Sequence, residues 1–536
     1  MRSAAGGLLE ARRLIRVVIG VAALCAAAFL IVRFARPIFW SRVSAYVQNR
    51  SAAIVRERFQ TDVQFGEFTI TGLYPDVVIS GSDVRLTQPG SAGLPSLIAV
   101  RKFSFQARLL QFLRKPAHVQ KLELSGMHIT VPPRGDRSRE PDRKPSGQHY
   151  PVIVDKFVCT DCQLGILPKR QGKRPLQFYI HTLRMQDLGL GRSAPYQASL
   201  TNAVPKGEIH TTGRFGPWQP QDPSLTPLSG DYVFTHADLN PFPGIGGMLD
   251  STGKFEGVLE RIVADGRTST PDFSLDVSGR PVPLQTEFHA IIDGTTGDTT
   301  LDPVRATLLH SVIVARGGVF GAPGRPGRMV LLDVTVNPGR LEDILRLGVK
   351  SDRPAMVGSL RFRTQMAILP GPGKVIERMK LNGRFFANDA HPTDPKLQEK
   401  LKQLSRRAKG KPQDRGAGTD VFDLKGRFVL DKAVADFPML TFSIPGARLS
   451  MAGNYGLFSE RLDFDGKLLL DAKLSQTIGG FKSIFLKPID PFFRKNGKTV
   501  LPIHIFGVRS HPEFKLQLGG HRSRKTAPEY HAERLP

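Results

Sequence analysis

One small pattern recurs along the chain and limits what it can become: a glycine opens a short run in which apolar residues alternate with others. Between Asp420 and Gly519 it reads Gly426-Arg427-Phe428-Val429-Leu430, Gly453-Asn454-Tyr455 and Gly466-Lys467-Leu468-Leu469-Leu470. Leu440, Phe442 and Ile444 fall on one side of an extended chain, as do Leu449 and Met451, which is the period of a half-buried antiparallel strand. The pattern predicts strand, glycine turn and strand, a sheet laid down one strand at a time. Gly213-Arg214-Phe215, Gly230-Asp231-Tyr232, Gly253-Lys254-Phe255 and Gly383-Arg384-Phe385 restate it upstream. Their spacing is unequal, which argues against a propeller or leucine-rich array of fixed period and permits a long sheet with insertions.

The totals agree with this pattern. The 53 glycines and 41 prolines suit a turn-rich all-β chain, and 40% apolar with 23% charged residues suits a folded one. A length of 536 residues allows two to four ordinary domains or one elongated repetitive body. The net charge of +27 predicts attraction to polyanions, either nucleic acid or anionic membrane headgroups.

A membrane segment decides between those partners. Leu14 to Val32 is apolar apart from Arg16, long enough to span a bilayer, and Arg33, Arg36, Phe39 and Trp40 follow as interface anchors. An uncleaved signal anchor is expected, the other reading being a signal peptide cut near Ala26 to Ala28. Arginines on both sides of the span leave a slight bias toward an inside N-terminus, placing residues from about 37 onward outside the cytoplasm. In a cell with two membranes that compartment is the periplasm. Pro132 to His149, polar and basic, reads as a linker, since it offers no aromatic residue on which a base could stack. No nucleic-acid partner is expected.

Chemistry is sparse. Gly247 to Phe255 imitates a phosphate-binding loop but has five residues between its glycines and no hydroxyl residue after Lys254. The 13 histidines form no HExxH, and no GxSxG elbow occurs. No catalytic, cofactor or metal residue is therefore assigned, and the chain is not read as an enzyme. Cys159 and Cys162 lie in an alternating segment, with neither the helix N-terminus of a redox pair nor a second ligand pair for zinc. A local disulfide or two buried thiols remain.

Helices are expected at Ile38 to Phe59, Leu109 to Leu113, Arg340 to Leu347, Pro395 to Ala408 and Leu474 to Phe485. In the fourth, Asp394 caps, Pro395 fits the first turn, and Leu397, Leu401 and Leu404 form a stripe. Lys396, Lys400, Arg406 and Arg407 around that stripe are candidate headgroup or membrane-surface contacts. The alternative is a helix covering the sheet with a solvated basic face.

Two ends of the chain carry a family resemblance. At the N-terminus the anchor and helix lead to Gly72-Leu73-Tyr74-Pro75, Ser80-Gly81-Ser82-Asp83-Val84-Arg85-Leu86, a Phe103/Phe105 strand and Val119-Gln120-Lys121-Leu122-Glu123-Leu124. At the other end Gly446 to Tyr455 leads to Leu462-Asp463-Phe464-Asp465-Gly466, Lys487-Pro488-Ile489-Asp490-Pro491, and Val500 to Val508 with Pro512-Glu513-Phe514. The order resembles the AsmA-like family of membrane-anchored periplasmic envelope proteins (AsmA, TamB and YhdP types). The middle of the chain matches in style alone.

The resemblance implies a mainly β fold, an elongated curled antiparallel sheet shaped as a groove or taco, with a few short helices and one N-terminal transmembrane helix. It implies a single-pass inner-membrane protein of outer-membrane biogenesis, its bulk in the periplasm, carrying phospholipid along a hydrophobic β-groove. An outer-membrane partner protein fits that role, and a non-transporting scaffold or regulator is the alternative. The expected segments are a cytoplasmic tail (1–13), the anchor (14–36), an N-terminal helix and strands (37–131), a polar linker (132–150) and a repetitive β region (151–380). A strand, amphipathic helix and linker (381–419), the C-terminal β region (420–519) and a basic tail (520–536) complete the chain.

Candidate groove residues are Phe428, Leu430, Leu440, Phe442, Ile444, Leu449, Met451, Leu468 and Leu470. An apolar strand face reads the same whether side chains or acyl chains cover it, so an ordinary protein core is equally compatible with them.

Overall fold

The structure is a computed structural model. It describes residues 62–64, 66–71, 76–87, 98–108, 117–131, 152–166, 176–189, 191–217, 219, 225–322, 327–477, 494–495 and 498–516. The segments expected at 1–36, 132–150 and 520–536 lie outside the described residues. So do the helices expected at Ile38 to Phe59 and Leu109 to Leu113. Among the described residues no helix is long and apolar enough to cross a membrane.

The chain is mainly β, its strands laid out as large open antiparallel sheet with a few short helices. It divides into two compact units, Met1–His236 with Lys254–Glu260, and Ala237–Gly253 with Arg261–Pro536.

The first unit is built from β1 (Asp62–Gln64), β2 (Phe68–Thr71), β3 (Asp76–Thr87), β4 (Ile98–Arg108) and β5 (Ala117–Val131). It continues with β6 (Val152–Ile166), β7 (Leu176–Gly189), β8 (Ala194–Thr201), β9 (Glu208–Phe215) and β10 (Leu228–Asp238). Neighbours pair antiparallel with one exception: β5 and β6 run parallel, from Ala117↔Val152 to Val131↔Ile166. This corrects the expectation of a purely antiparallel sheet. A parallel pair needs a crossover of a dozen residues or more, and the segment read as a linker, 132–150, supplies that length between β5 and β6.

Cys159 and Cys162 are joined by a disulfide, Cα atoms 6.4 Å apart, and both are buried. Residues three apart on a flat strand would face opposite ways. Here Asp161 has φ near 52° and Gly126 φ near 66°, and the β5–β6 register sets the two opposite one another, between Ser125↔Thr160 and His128↔Gln163. The shared left-handed step turns the alternation over, and both sulfurs enter a cluster with Phe157, Met185 and Val119. Replacing both cysteines by alanine is expected to destabilise this unit by about 2 kcal/mol, the loop-closure value for so short a ring. Faster hydrogen exchange in β5–β7 is the measurement.

The second unit contains β11 (Ile245–Gly246), β12 (Met248–Val258, shared with the first), β13 (Arg261–Leu275), β14 (Val282–Ile292), β15 (Thr299–Leu308) and β16 (Ser311–Gly321). β17 (Arg328–Arg340), β18 (Met356–Ile368), β19 (Met379–Pro392), β20 (Phe422–Asp431), β21 (Val434–Ile444) and β22 (Ala447–Gly456) follow. The last are β23 (Arg461–Leu470), β24 (Arg494–Lys495), β25 (Lys498–Val508) and β26 (His511–Leu516). From β13 to β23 each strand pairs antiparallel with the next, and β23–β25–β26 closes the series. β19 pairs directly with β20, so the expected boundary between 419 and 420 does not interrupt the ladder.

The glycines are not where the sequence pattern puts them. Gly383, Gly426, Gly453 and Gly466 sit inside β19, β20, β22 and β23, not in turns. The physical reason is a reciprocal fit across strands: Gly383 is opposite Phe428 and Gly426 is opposite Phe385. A Cβ on Gly426 would lie 2.8 Å from the Phe385 ring, and one on Gly383 would lie 2.8 Å from the Phe428 ring. Each glycine clears room for the ring of the neighbouring strand, the arrangement known as aromatic rescue.

Besides one-turn helices at Val375–Arg378 and Arg415–Ala417, the helices of this unit pack against strands or against one another. Leu341–Gly348 lies over β17 and β18, Pro395–Ala408 over β19 and β22, and Leu474–Thr477 against the second of these. Asp394 accepts a hydrogen bond from the Lys396 amide at 2.7 Å and Pro395 takes the first turn. The helix at Leu474 is described for one turn, and the rest of the expected span to Phe485 lies outside the described residues.

Candidate functional site

Residues directly opposite each other in a ladder point to the same face, so the register of the second unit maps that face without ambiguity. One row runs Ala306, Ile313, Val336, Phe362, Phe385 and Gly426. It continues through Leu440, Met451, Gly466 and Ile503 to Leu516. That is β15 to β26 without a charged residue. A second row, Phe288, Val304, Ala315, Val334, Thr364, Gly383 and Phe428, lies beside it.

All nine candidate groove residues fall on this face. Leu430 is opposite Leu381, Phe428 opposite Gly383, and Leu440 opposite Met451. Phe442, Leu449 and Leu468 form one line, and Ile444, Ala447 and Leu470 form the next. The alternation alone does not bring Phe437 and Leu440 to the same side. A bulge between them, at Pro438 and Met439, resets the phase, so that Phe437 meets Gly453 while Leu440 meets Met451.

Cover over the face is uneven. At one end Leu401, Leu404 and Ala408 of the helix Pro395–Ala408, with Leu341, pack onto Phe422, Ile444, Ala447 and Leu470. There the face is protein core, and Phe442 and Leu468 belong to it. Phe428 is buried among rings, 5.6 Å from Phe362 and 6.3 Å from Phe385. Leu440, Leu449, Met451 and Ile503 are only half-buried. Leu308 is the largest side chain wholly sealed from solvent among the described residues, a sparse inventory for so many strands. The face therefore ends exposed on β26, where Phe514 keeps 69% of its surface in solvent.

The helix Pro395–Ala408 settles against the sheet by Leu401 and Leu404, as a covering helix does, while Leu397, expected in the same stripe, is exposed at the first turn. Lys396, Lys400 and Arg407 point to solvent. Arg406 is engaged: it donates to Glu399 at 3.0 Å, and this hydrogen bond holds the Glu399 carboxyl below its usual range.

The first unit has a comparable apolar row, Phe105, Leu122, Phe157, Met185 and Tyr196. Burial pushes the Tyr196 phenol above its ordinary pKa; its hydroxyl lies 3.2 Å from that of Thr211.

Cavities lie on the opposite, polar face. One of about 410 Å³ is bordered by Arg184, Gln197, His210, Thr212 and Asp231 in the first unit. Another of about 520 Å³, in the second, is bordered by Asp265, Arg267, Glu287 and His289, which pair among themselves at 2.8 Å (His289 with Asp265) and 3.0 Å (Arg267 with Glu287). Both are open depressions, the second between paired side chains. Among the described residues no three His, Cys, Asp or Glu side chains converge as metal ligands. Compared with known proteins, the chain matches no family model, no curated protein and no solved structure.

Proposed function

We propose that this chain is an AsmA-like protein, anchored by residues 14–36 in the inner membrane of a two-membrane cell, that carries phospholipid toward the outer membrane along the apolar face of a curled sheet. The observation that carries the proposal is the uncharged row from Ala306 to Leu516, continuous through β15 to β26 and half-open at Leu440, Met451 and Ile503. Acyl chains need such a surface, because burying apolar area against apolar area is the one attraction available to them. The headgroup stays at the rim, where the exposed Lys396, Lys400 and Arg407 offer charge to a phosphate.

A non-transporting scaffold is the second reading, favoured by the covered end of the face at Ile444 and Leu470. Mass spectrometry of the full chain extracted in mild detergent separates the two. Phospholipid in clear excess over a matched detergent control is expected; a lipid-free protein leaves the scaffold.

A further inference from the structure

Between the glycine and the ring of each repeated triplet stands a residue that points to the polar face, and the register aligns two of these outward positions, in β19 and β20, with an arginine of β18. Arg363 is opposite Arg384, and Arg384 is opposite Arg427. Beside this row Arg361 lies over the Phe386 ring, 5.9 Å from its centre, and Lys425 is opposite Phe386. All five cations are exposed. Among the described residues none of the five has a carboxylate within ion-pair distance, although arginines elsewhere in the same unit are paired, as Arg316 is with Asp302 and Arg328 with Asp298.

Directly opposed like charges weaken a strand pair, and here the same repulsion is repeated over two successive pairs. Cross-strand neighbours stand about 5 Å apart, so three guanidinium groups span about 10 Å, within reach of the non-bridging oxygens of a short chain of linked phosphates. Arginine's planar fork binds phosphate through two parallel hydrogen bonds, which lysine cannot do. We infer that Arg363, Arg384 and Arg427 form a binding site for a discrete, multiply phosphorylated ligand, with Arg361 and Lys425 at its margin. The site lies on the face opposite the apolar one and is independent of the lipid-carrying proposal.

The test uses the full chain in neutral detergent, with inorganic tripolyphosphate as probe. Titration is expected to give saturable binding that Arg384→Gln with Arg427→Gln weakens about 100-fold, since each lost charge-assisted bond is worth about tenfold. Thermal melting supplies a second readout. Tripolyphosphate is expected to raise the melting temperature of the unsubstituted chain and not of the double variant. Without the anion the variant is expected to melt higher at low salt, the difference shrinking in high salt as repulsion is screened. Equal responses of the two proteins, or an effect that sulfate at matched ionic strength reproduces, overturn the inference. Recruitment to phosphatidic acid vesicles with no response to tripolyphosphate also overturns it, by assigning the row to a membrane surface.

Discussion

Aspartate at Leu440 and Met451 together is expected to reduce the phospholipid that co-purifies with the chain by more than about tenfold while leaving it folded. The two residues face each other across β21 and β22, half-buried and away from the helix that covers Ile444 and Leu470. A carboxylate pair there reaches water when the face is empty, so the fold loses only the cross-strand repulsion of two opposed like charges, about 1 kcal/mol or less. An acyl chain on the same surface removes that water, and the charge must then be buried or the lipid excluded. Met439→Asp is the control, because Met439 precedes Leu440 in β21 but is exposed, opposite Arg427 of β20. Lipid content in the variants is measured by mass spectrometry, folding by circular dichroism. A folded double variant with undiminished lipid would remove the groove from consideration, and equal loss in the Met439 control would show a nonspecific charge effect.

The apolar face was legible because period-two alternation states which residues share a side within each strand. Phe428 with Leu430, and Leu449 with Met451, need nothing more. Which strand meets which is a different kind of information, held in register and in breaks of phase. The left-handed step at Asp161 that buries both cysteines, and the bulge at Pro438 and Met439, leave no periodic trace, since a single residue of unusual φ resets the count without altering composition. The parallel pairing of β5 with β6 is likewise decided by the whole crossover.

The capped helix at Pro395 was readable residue by residue, since Asp394 and Pro395 act locally. Whether its leucines met sheet or lipid was not, because both are apolar. The arginine row escaped for a further reason. In sequence Arg384 and Arg427 are the unremarked middle members of glycine–arginine–phenylalanine triplets, and they become neighbours only when those triplets pair in opposite directions, each glycine under the other's ring.

Those glycines also explain how a sheet rich in phenylalanine keeps an open face. Gly453 is a clear case: it lies opposite Phe464, and a Cβ there would stand 2.1 Å from the Asp463 carbonyl oxygen and 2.8 Å from the Phe464 ring. The first of these atoms is backbone, so no rotamer change relieves the clash and the β22–β23 ladder must part. Gly453→Val is therefore expected to destabilise the second unit by about 3 kcal/mol or more, beyond the usual cost of overpacking because hydrogen bonds are lost as well. Even alanine is expected to be costly here, although it ordinarily improves on glycine in a strand. Gly348→Ala makes the contrast, since nothing lies within 4 Å of the added carbon and the helix it ends tolerates alanine. Urea unfolding with hydrogen exchange read in β22 and β23 distinguishes the two substitutions. If Gly453→Ala melts and exchanges like the unsubstituted chain, the close approach of these strands is not what the glycine provides. If the ladder opens instead, the Phe464 ring loses its seat beside Phe437, 5.9 Å away, and is driven into the space above Met451 and Leu440 where the acyl chain is expected to lie.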